Sequence, residues 1–407
     1  MTTGAKRDLV IVGGGPAGLA TALFVRHHAP DLAARTVVLE KARYPRDKYC
    51  AGAIAARGVR ILDHIGVRVD VPAVPIDTMS LKLPHRTLRV TDGGLAIVVR
   101  RLEHDHALAR EVIARGIELR EGCPVARVEP VADGARVHLE SGETIEARAV
   151  VGADGVSGVV RKSAGFARAR LRAQVVEVDT EIADGDPPFD TLHFDLTDRS
   201  LRGYVWDFPT LVGGRRMMCR GVYAITERGE PSRVRERLRT YLAHKGLRAE
   251  AYRFKQLAER GFEPGRRISR PNVMLVGEAA GIDIATGEGI AQALELGELA
   301  GAYLARAFRS GDLRFADWLG TVQRARAGQR LVFRYGAYVA FYGSERAAVE
   351  QILGAGPDVI RVLAQSFAGK PTPFSAAARM TRQLTSPTAR VAPGIAWRVL
   401  RSLRKET

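Results

Sequence analysis

Cysteine is scarce in this 407-residue chain: Cys50, Cys123 and Cys219 are an odd number and lie far apart. That excludes a disulfide framework and the paired spacings of a zinc site, and it fits a reducing, cytoplasmic setting. His27, His28, His64, His85 and His193 show no metal-ligand spacing, so no metal is expected. No stretch reaches the roughly 18 uninterrupted apolar residues of a spanning helix. The polar start, Met1 to Arg7, and the break of the next apolar run at Gly13 leave no signal-peptide core. A soluble or membrane-peripheral protein is the expectation. Lysine is also rare, nine of the 62 basic residues, and the formal charge of +17 comes from arginines spread through an alanine- and glycine-rich chain. A nucleic-acid site would combine a compact basic patch with stacking aromatics, so no nucleic-acid partner is expected. One basic cluster stands apart, the tail Gly394 to Thr407, where Ile395, Trp397, Val399, Leu400 and Leu403 alternate with Arg398, Arg401, Arg404 and Lys405. It reads equally as a peripheral contact with an anionic membrane or as a docked helix with a solvated basic face.

What the chain does contain is length for two or three structural units and a change of texture along it. RDLVIVG reads as a buried strand, Pro16 to His28 as a helix and Thr36 to Glu40 as a second buried strand, which together make a βαβ unit. Leu102 to Arg115 has helical spacing, and short strands follow at Ile117–Leu119, Arg136–Leu139 and Ala149–Val151. From about Arg168 to Arg267 polar and apolar residues alternate, which predicts an antiparallel sheet with one helix near Ser232 to Lys245. At Asn272 the α/β texture returns with NVMLVG and a long helix from about Gly287, and the chain beyond Gly311 reads as helical or irregular. The active site is expected between the two kinds of unit.

Gly13, Gly15 and Gly18 form G-x-G-x-x-G between a strand and a helix, with acidic Glu40 closing the second strand. The first glycine makes a tight turn, the second lets backbone approach a pyrophosphate, and the third lets helix pack on strand. The helix start then faces the phosphates, and Glu40 stands where ribose hydroxyls need an acceptor. The motif by itself does not choose between NAD and FAD.

Further motifs carry a resemblance. YPRDKYCAGAI, with Lys41 shortly before it and Arg46, Lys48 and Cys50 within it, is similar to a reductase pattern in which Ala51 replaces one glycine. RLEHD opens on Arg101, with His104 where a phenylalanine is usual, and GADGVSGVVRK carries Asp154 and Gly155. VGEAAGIDIATGEGIAQAL carries Gly277, Glu278 in place of the usual aspartate, then Gly287, Glu288, Gly289 and Ile290. From about residue 7 to 310 the chain resembles the flavoprotein group that includes geranylgeranyl reductases and aromatic-ring hydroxylases. The resemblance implies an α/β (α+β) fold: a Rossmann-like FAD-binding domain with an inserted antiparallel β-sheet substrate domain and a helical C-terminal region. On that reading residues 1–75, 99–167 and 268–310 bind FAD, 76–98 and 168–267 form the substrate domain, and 311–407 are the helical region. It implies FAD as cofactor and NAD(P)H as electron donor, with Arg101 against the cofactor, Asp154 and Gly155 in contact with it, and Glu278 near the ribityl chain. A helix beginning near Gly287 would turn its positive end toward the flavin ring.

Three enzyme readings share this scaffold. The leading one is a reductase passing hydride to an apolar unsaturated small molecule, with Cys50 as an activated thiol or proton donor and Trp206, between Tyr204 and Phe208, over the flavin. The alternative is a monooxygenase using dioxygen to hydroxylate its substrate. A halogenase is third, since Tyr204 stands where that branch carries tryptophan. An RNA-binding flavoprotein, suggested by charge alone, is the non-enzyme reading. The aromatic set Phe333, Tyr335, Tyr338, Phe341 and Tyr342 reads as core or as the wall of an apolar tunnel.

Overall fold

The computed structural model describes residues 6–371, apart from 228–229, 231, 344–345 and 355. The basic tail at Gly394 to Thr407 lies outside the described residues. Two eight-stranded sheets carry the fold. In the first, the strands run Ser269–Arg270, Val273–Leu275, Thr144–Gly152, Lys6–Val12, Thr36–Leu39, Glu118–Arg120, of which the last five are parallel, and Val125–Val131 and Gly134–Leu139 join antiparallel beside Thr144–Gly152. Leu9 to Ile11, Val37, Val38, Val150 and Val151 are wholly buried, the pattern of strands covered on both faces. The helix Pro16–His28 covers one face and packs along Ile290–Ser310. Gly297 and Gly301 make that approach: a Cβ at Gly301 would press on Phe24 and Val25, and one at Gly297 on Ala20 and Thr21.

The second sheet runs Lys255–Arg260, Arg172–Thr180, Arg215–Thr226, Gly203–Val212, Thr191–Asp195, Ala73–Leu83, Arg86–Val99, Ala53–Ala55. It is antiparallel as predicted except at one joint, where Thr191–Asp195 runs parallel to Ala73–Leu83. The exception has a topological cause. The long hairpin Ala73–Val99 leaves the first unit early and enters this sheet from the opposite edge, so its register is not set by the local meander. This sheet is also covered on both sides. Val176, Val178 and Val222 pack against Leu238 and Leu242 of the helix Val234–His244, while Val175, Tyr204, Trp206 and Tyr223 join the main core.

Four helices, Trp318–Arg324, Arg326–Tyr342, Arg346–Gly354 and Pro357–Ala368, close the molecule. They are fastened by directed bonds. The Trp318 indole N–H donates to the Leu275 carbonyl at 3.0 Å and the Tyr342 hydroxyl to the Gly203 carbonyl at 3.1 Å. Arg57 donates to the Phe367 carbonyl. Among the described residues, no helix is long and apolar enough to cross a membrane.

Candidate functional site

A continuous cavity of about 1520 Å³ runs from the glycine turn, between the two sheets, to the last helices. The three glycines of the turn hold three different environments. Gly13 is at φ +109°, and a Cβ there would collide with the Ala153 carbonyl. Gly18 packs on Gly13 so closely that a Cβ would strike its carbonyl oxygen. Gly15 faces open space, with Arg101 Nη2 at 4.0 Å as the nearest atom to a Cβ. Only backbone therefore stands between the helix start and the cavity at Gly15.

Glu40 lines the cavity, and its carboxylate accepts the Gly14 and Ala42 amides, each at 2.9 Å. Gly14 is the loop residue the motif reading passed over: its carbonyl accepts from Tyr44 and, at 2.9 Å, from Arg46. Arg46 also pairs with Asp105 at 3.0 Å and Glu40 at 3.5 Å. Arg101 is buried and grips Asp105 through two bonds of 2.7 and 2.6 Å. Burial works against its charge, but Asp105 outweighs it and holds the guanidinium protonated. Lys41 lies along the same wall.

Asp154 lines the cavity; its Oδ2 accepts the Val160 amide at 2.9 Å, and its buried Oδ1 has no hydrogen-bond partner among the described residues. Burial pushes this carboxyl up from the usual range. Gly155, at φ +76°, approaches Glu278, whose Oε2 meets Lys48 Nζ at 3.4 Å. The buried Oε1 of Glu278 is likewise unpartnered among the described residues. Gly277 and Gly18 do not line the cavity: Gly277, at φ +61°, is pressed against Ala17 and acts from behind the wall. Gly287, at φ +68°, leaves no room for a Cβ beside Tyr223 and Tyr204. Their hydroxyls donate to the Ile284 and Thr286 carbonyls at 3.3 and 2.5 Å, which pins this loop to the second sheet. Gly289 then opens the helix that starts at Ile290, its N-terminus at the cavity. Glu288 is buried between Arg57 and, at 2.8 Å, Arg334 of the helix Arg326–Tyr342.

Cys50 lies in the wall, its sulfur 3.5 Å from the Gly52 amide. Activation of this thiol by Lys48 is not what the structure displays. Lys48 is engaged by Glu278, and burial pushes the Cys50 thiol up, against a weaker downward pull from Arg101. A thiol that keeps its proton suits the donor arm of the expectation. Trp206 lies across Gly221, where a Cβ would overlap the indole, and its Nε1 has no partner among the described residues. Tyr204, Trp206 and Phe208 all line the cavity, as does the helix of Phe333 to Tyr342.

Two acids that the second sheet turns to the cavity went unread in the sequence, Glu177 and Glu259. Glu177 is 2% exposed, and burial pushes it up to about 7. In VVEVDTEI it alternates with valines and so looks like the solvent face of an ordinary strand. No signal in the sequence states that both faces of this sheet are covered.

The site fits a dinucleotide carrying a polar chain: backbone alone at Gly15, helix starts at Pro16 and Ile290, and orphaned acceptors on Asp154 and Glu278. Comparisons with known proteins agree. The chain is 28% identical over 324 residues to menaquinone reductase of Mycolicibacterium smegmatis, covering 72% of this chain and 75% of that protein. It is 31% identical over 166 residues to rifampicin monooxygenase of Streptomyces venezuelae, covering 39% and 34%. Its fold matches a geranylgeranyl bacteriochlorophyll reductase-like protein of Thermoplasma acidophilum at a TM-score of 0.75 and 18% identity, over 98% of this chain and 99% of the other. Residues 6–295 match the family described as FAD binding domain, and the chain belongs to that family as an FAD-dependent oxidoreductase.

Proposed function

We propose that the protein takes hydride from NAD(P)H and delivers it, through FAD, to a carbon–carbon double bond of an apolar small molecule with an unsaturated hydrocarbon chain. The observation that carries this reading is the second half of the cavity. Beyond the Gly287–Ile290 loop it continues into a chamber walled by Met79, Leu81, Leu192 and Phe194 on the sheet side. Phe341, Ile352, Ile360 and Phe367 close the helical side. Such a lining favours hydrocarbon, at about 25 cal/mol per Å² removed from water. The alignment to a menaquinone reductase extends over 72% of the chain, whereas that to the monooxygenase stops at 39%, which supports the reductase branch.

Bound FAD supplies the two-electron acceptor and donor. The chain's residues divide the remaining work. Gly13, Gly15 and Gly18 shape the pyrophosphate turn, Glu40 and Arg46 hold its backbone, and Arg101 and Lys41 add positive charge. Asp154, Gly155 and Glu278 meet the polar chain, with Lys48 orienting Glu278 and Gly277 supporting the wall. Gly287, Gly289 and Ile290 direct a helix start at the ring. Trp206 walls the reacting space, and Cys50 Sγ–H holds the proton for the carbon that does not receive hydride. On this reading the FAD segments are 1–75, 99–167 and 268–310, and the substrate domain is 76–98 with 168–267.

Holoenzyme reduced by NADPH and mixed with menaquinone under anaerobic conditions should yield a product that, after the ring is re-oxidised to the quinone in air, is still heavier by two hydrogens, read by mass spectrometry. A product that forms only with dioxygen and gains one oxygen atom would replace this reading with the monooxygenase.

A further inference from the structure

None of the roles above uses Glu259. It stands on the strand Lys255–Arg260, paired with Ala173, on the face that lines the cavity. Its Oε2 is sealed from solvent and has no hydrogen-bond partner among the described residues. The chain beyond it is zipped to the flavin-side loop: the Ile282 amide donates to the Arg260 carbonyl at 2.9 Å, and the Phe262 amide to the Ile282 carbonyl at 2.7 Å. That seam holds Glu259 beside the turn Gly277–Ala279, which bears Glu278. Two carboxyl groups, each with one oxygen sealed from solvent, thus share a wall in which Lys48 pairs with Glu278. Two like charges in such a place do not both ionise at neutral pH, and the one lacking a cation keeps its proton. Burial first, and then the charge of Glu278, raise Glu259 well above the ordinary carboxylate range, against smaller pulls from Lys48 and the Tyr223 hydroxyl. Cys50 lines the same cavity, within electrostatic range of Glu177 first and then of Glu259.

We propose that Glu259 is a proton-relay residue that re-protonates Cys50 in each turnover. The assignment rests on the hydride-transfer reading above. Hydride forms a C–H bond at one alkene carbon; at the other, a C–H bond forms as the Cys50 S–H bond breaks. The thiolate then takes the proton from the Glu259 carboxylic acid, and solvent, which reaches the half-buried side chain, restores that acid before the next turnover. The groups that act electrostatically on Glu259 or feel its charge are Glu278 and Asp283 from the loop, Lys48 and Cys50 from the segment before the strand Ala53–Ala55, and Tyr204 and Tyr223 from the sheet. Glu278 keeps the relay acid protonated, and Lys48 limits that effect.

The test compares holoenzyme with E259Q, which keeps the shape and cannot donate an acidic proton, and with E259D. The parent-minus-E259Q infrared difference spectrum at neutral pH should contain a protonated-carboxyl stretch, since the bands of Glu177 and Asp154 are common to both proteins and cancel. With FAD content retained, anaerobic saturation of the menaquinone side chain should fall in E259Q on the order of 10²-fold, the scale of a lost general acid. E259D should recover most of that loss. In the parent, this rate should decline above the pH at which the carboxyl band disappears. A band unchanged in E259Q, or side-chain saturation at the parent rate in E259Q, overturns the relay while leaving the hydride-transfer reading intact. A parent protein that carries the band but reduces no double bond overturns the hydride-transfer reading and the relay with it.

Discussion

The two ends of the cavity are built in opposite ways. At the glycine end the wall is backbone: Gly15 offers no side chain, and Glu40, Tyr44 and Arg46 spend their polar atoms on the loop itself. At the sheet end the wall is side chain: Tyr204, Trp206, Tyr223, Glu177 and Glu259 project from paired strands, and glycine serves only to make room, as Gly221 does beneath Trp206. A phosphate is recognised by amides and a helix start, which almost any flanking residues can supply. A substrate is recognised by particular side chains, whose placement depends on strands distant in sequence. The first end can therefore be shared across a family while the second diverges.

The sharpest way to break this contrast is Gly15→Val. Gly15 lies at φ −86° with no neighbour closer than 4.0 Å to a Cβ, so the variant should fold. Its added methyl groups would occupy the approach to the pyrophosphate, and the purified protein should be colourless and take up no FAD. Normal flavin absorbance would remove the pyrophosphate from this turn. Gly18→Ala is the control, because there the Cβ strikes backbone and the fold itself should suffer.

A smaller effect belongs to the sheet end. Glu177 in the fold is pushed up to about 7 from an ordinary 4.5, so the folded state binds its proton more tightly than the unfolded chain. Its contribution to stability is complete below 4.5 and is lost as pH rises through about 7. Glu177→Gln, a mimic of the protonated acid, should gain on the parent across that window by roughly 3 kcal/mol at most, at about 1.4 kcal/mol per pKa unit. Urea midpoints for both proteins from pH 4 to 8 would measure it. Parallel curves would show that Glu177 is not strained by burial.

The least of the three effects lies at the boundary between the two ends. Glu278→Ala should weaken FAD binding by about 1 to 3 kcal/mol, or roughly 5- to 150-fold, through loss of an acceptor for a buried hydroxyl. Glu278→Asp should retain most of the affinity. Equilibrium titration of apoprotein decides it, and an alanine variant with unchanged affinity would assign Glu278 to Lys48 alone.

How legible these regions were follows the same division. The helix Pro16–His28 and the strands Lys6–Val12 and Thr36–Leu39 stand where the pattern placed them, because buried parallel strands and glycine turns impose a local code. The hairpin Ala73–Val99 was harder to place, since its parallel partner comes more than 100 residues later. Glu177 looked like a solvated residue because alternation reports two faces without saying what covers each. Gly277 belongs to a cofactor motif by sequence yet stands behind the wall, packed on Ala17.

By itself, then, the sequence determined the glycine turn, the alternation of α/β and antiparallel textures, and the family, all of which rest on residues near one another in the chain. Only the tertiary structure decided that Lys48 pairs with Glu278, that burial pushes the Cys50 thiol up, and that Glu177 and Glu259 face a cavity. The reason is physical: a side chain's charge state depends on burial and on neighbours brought in from other strands, and neither is written in the spacing of residues along one segment.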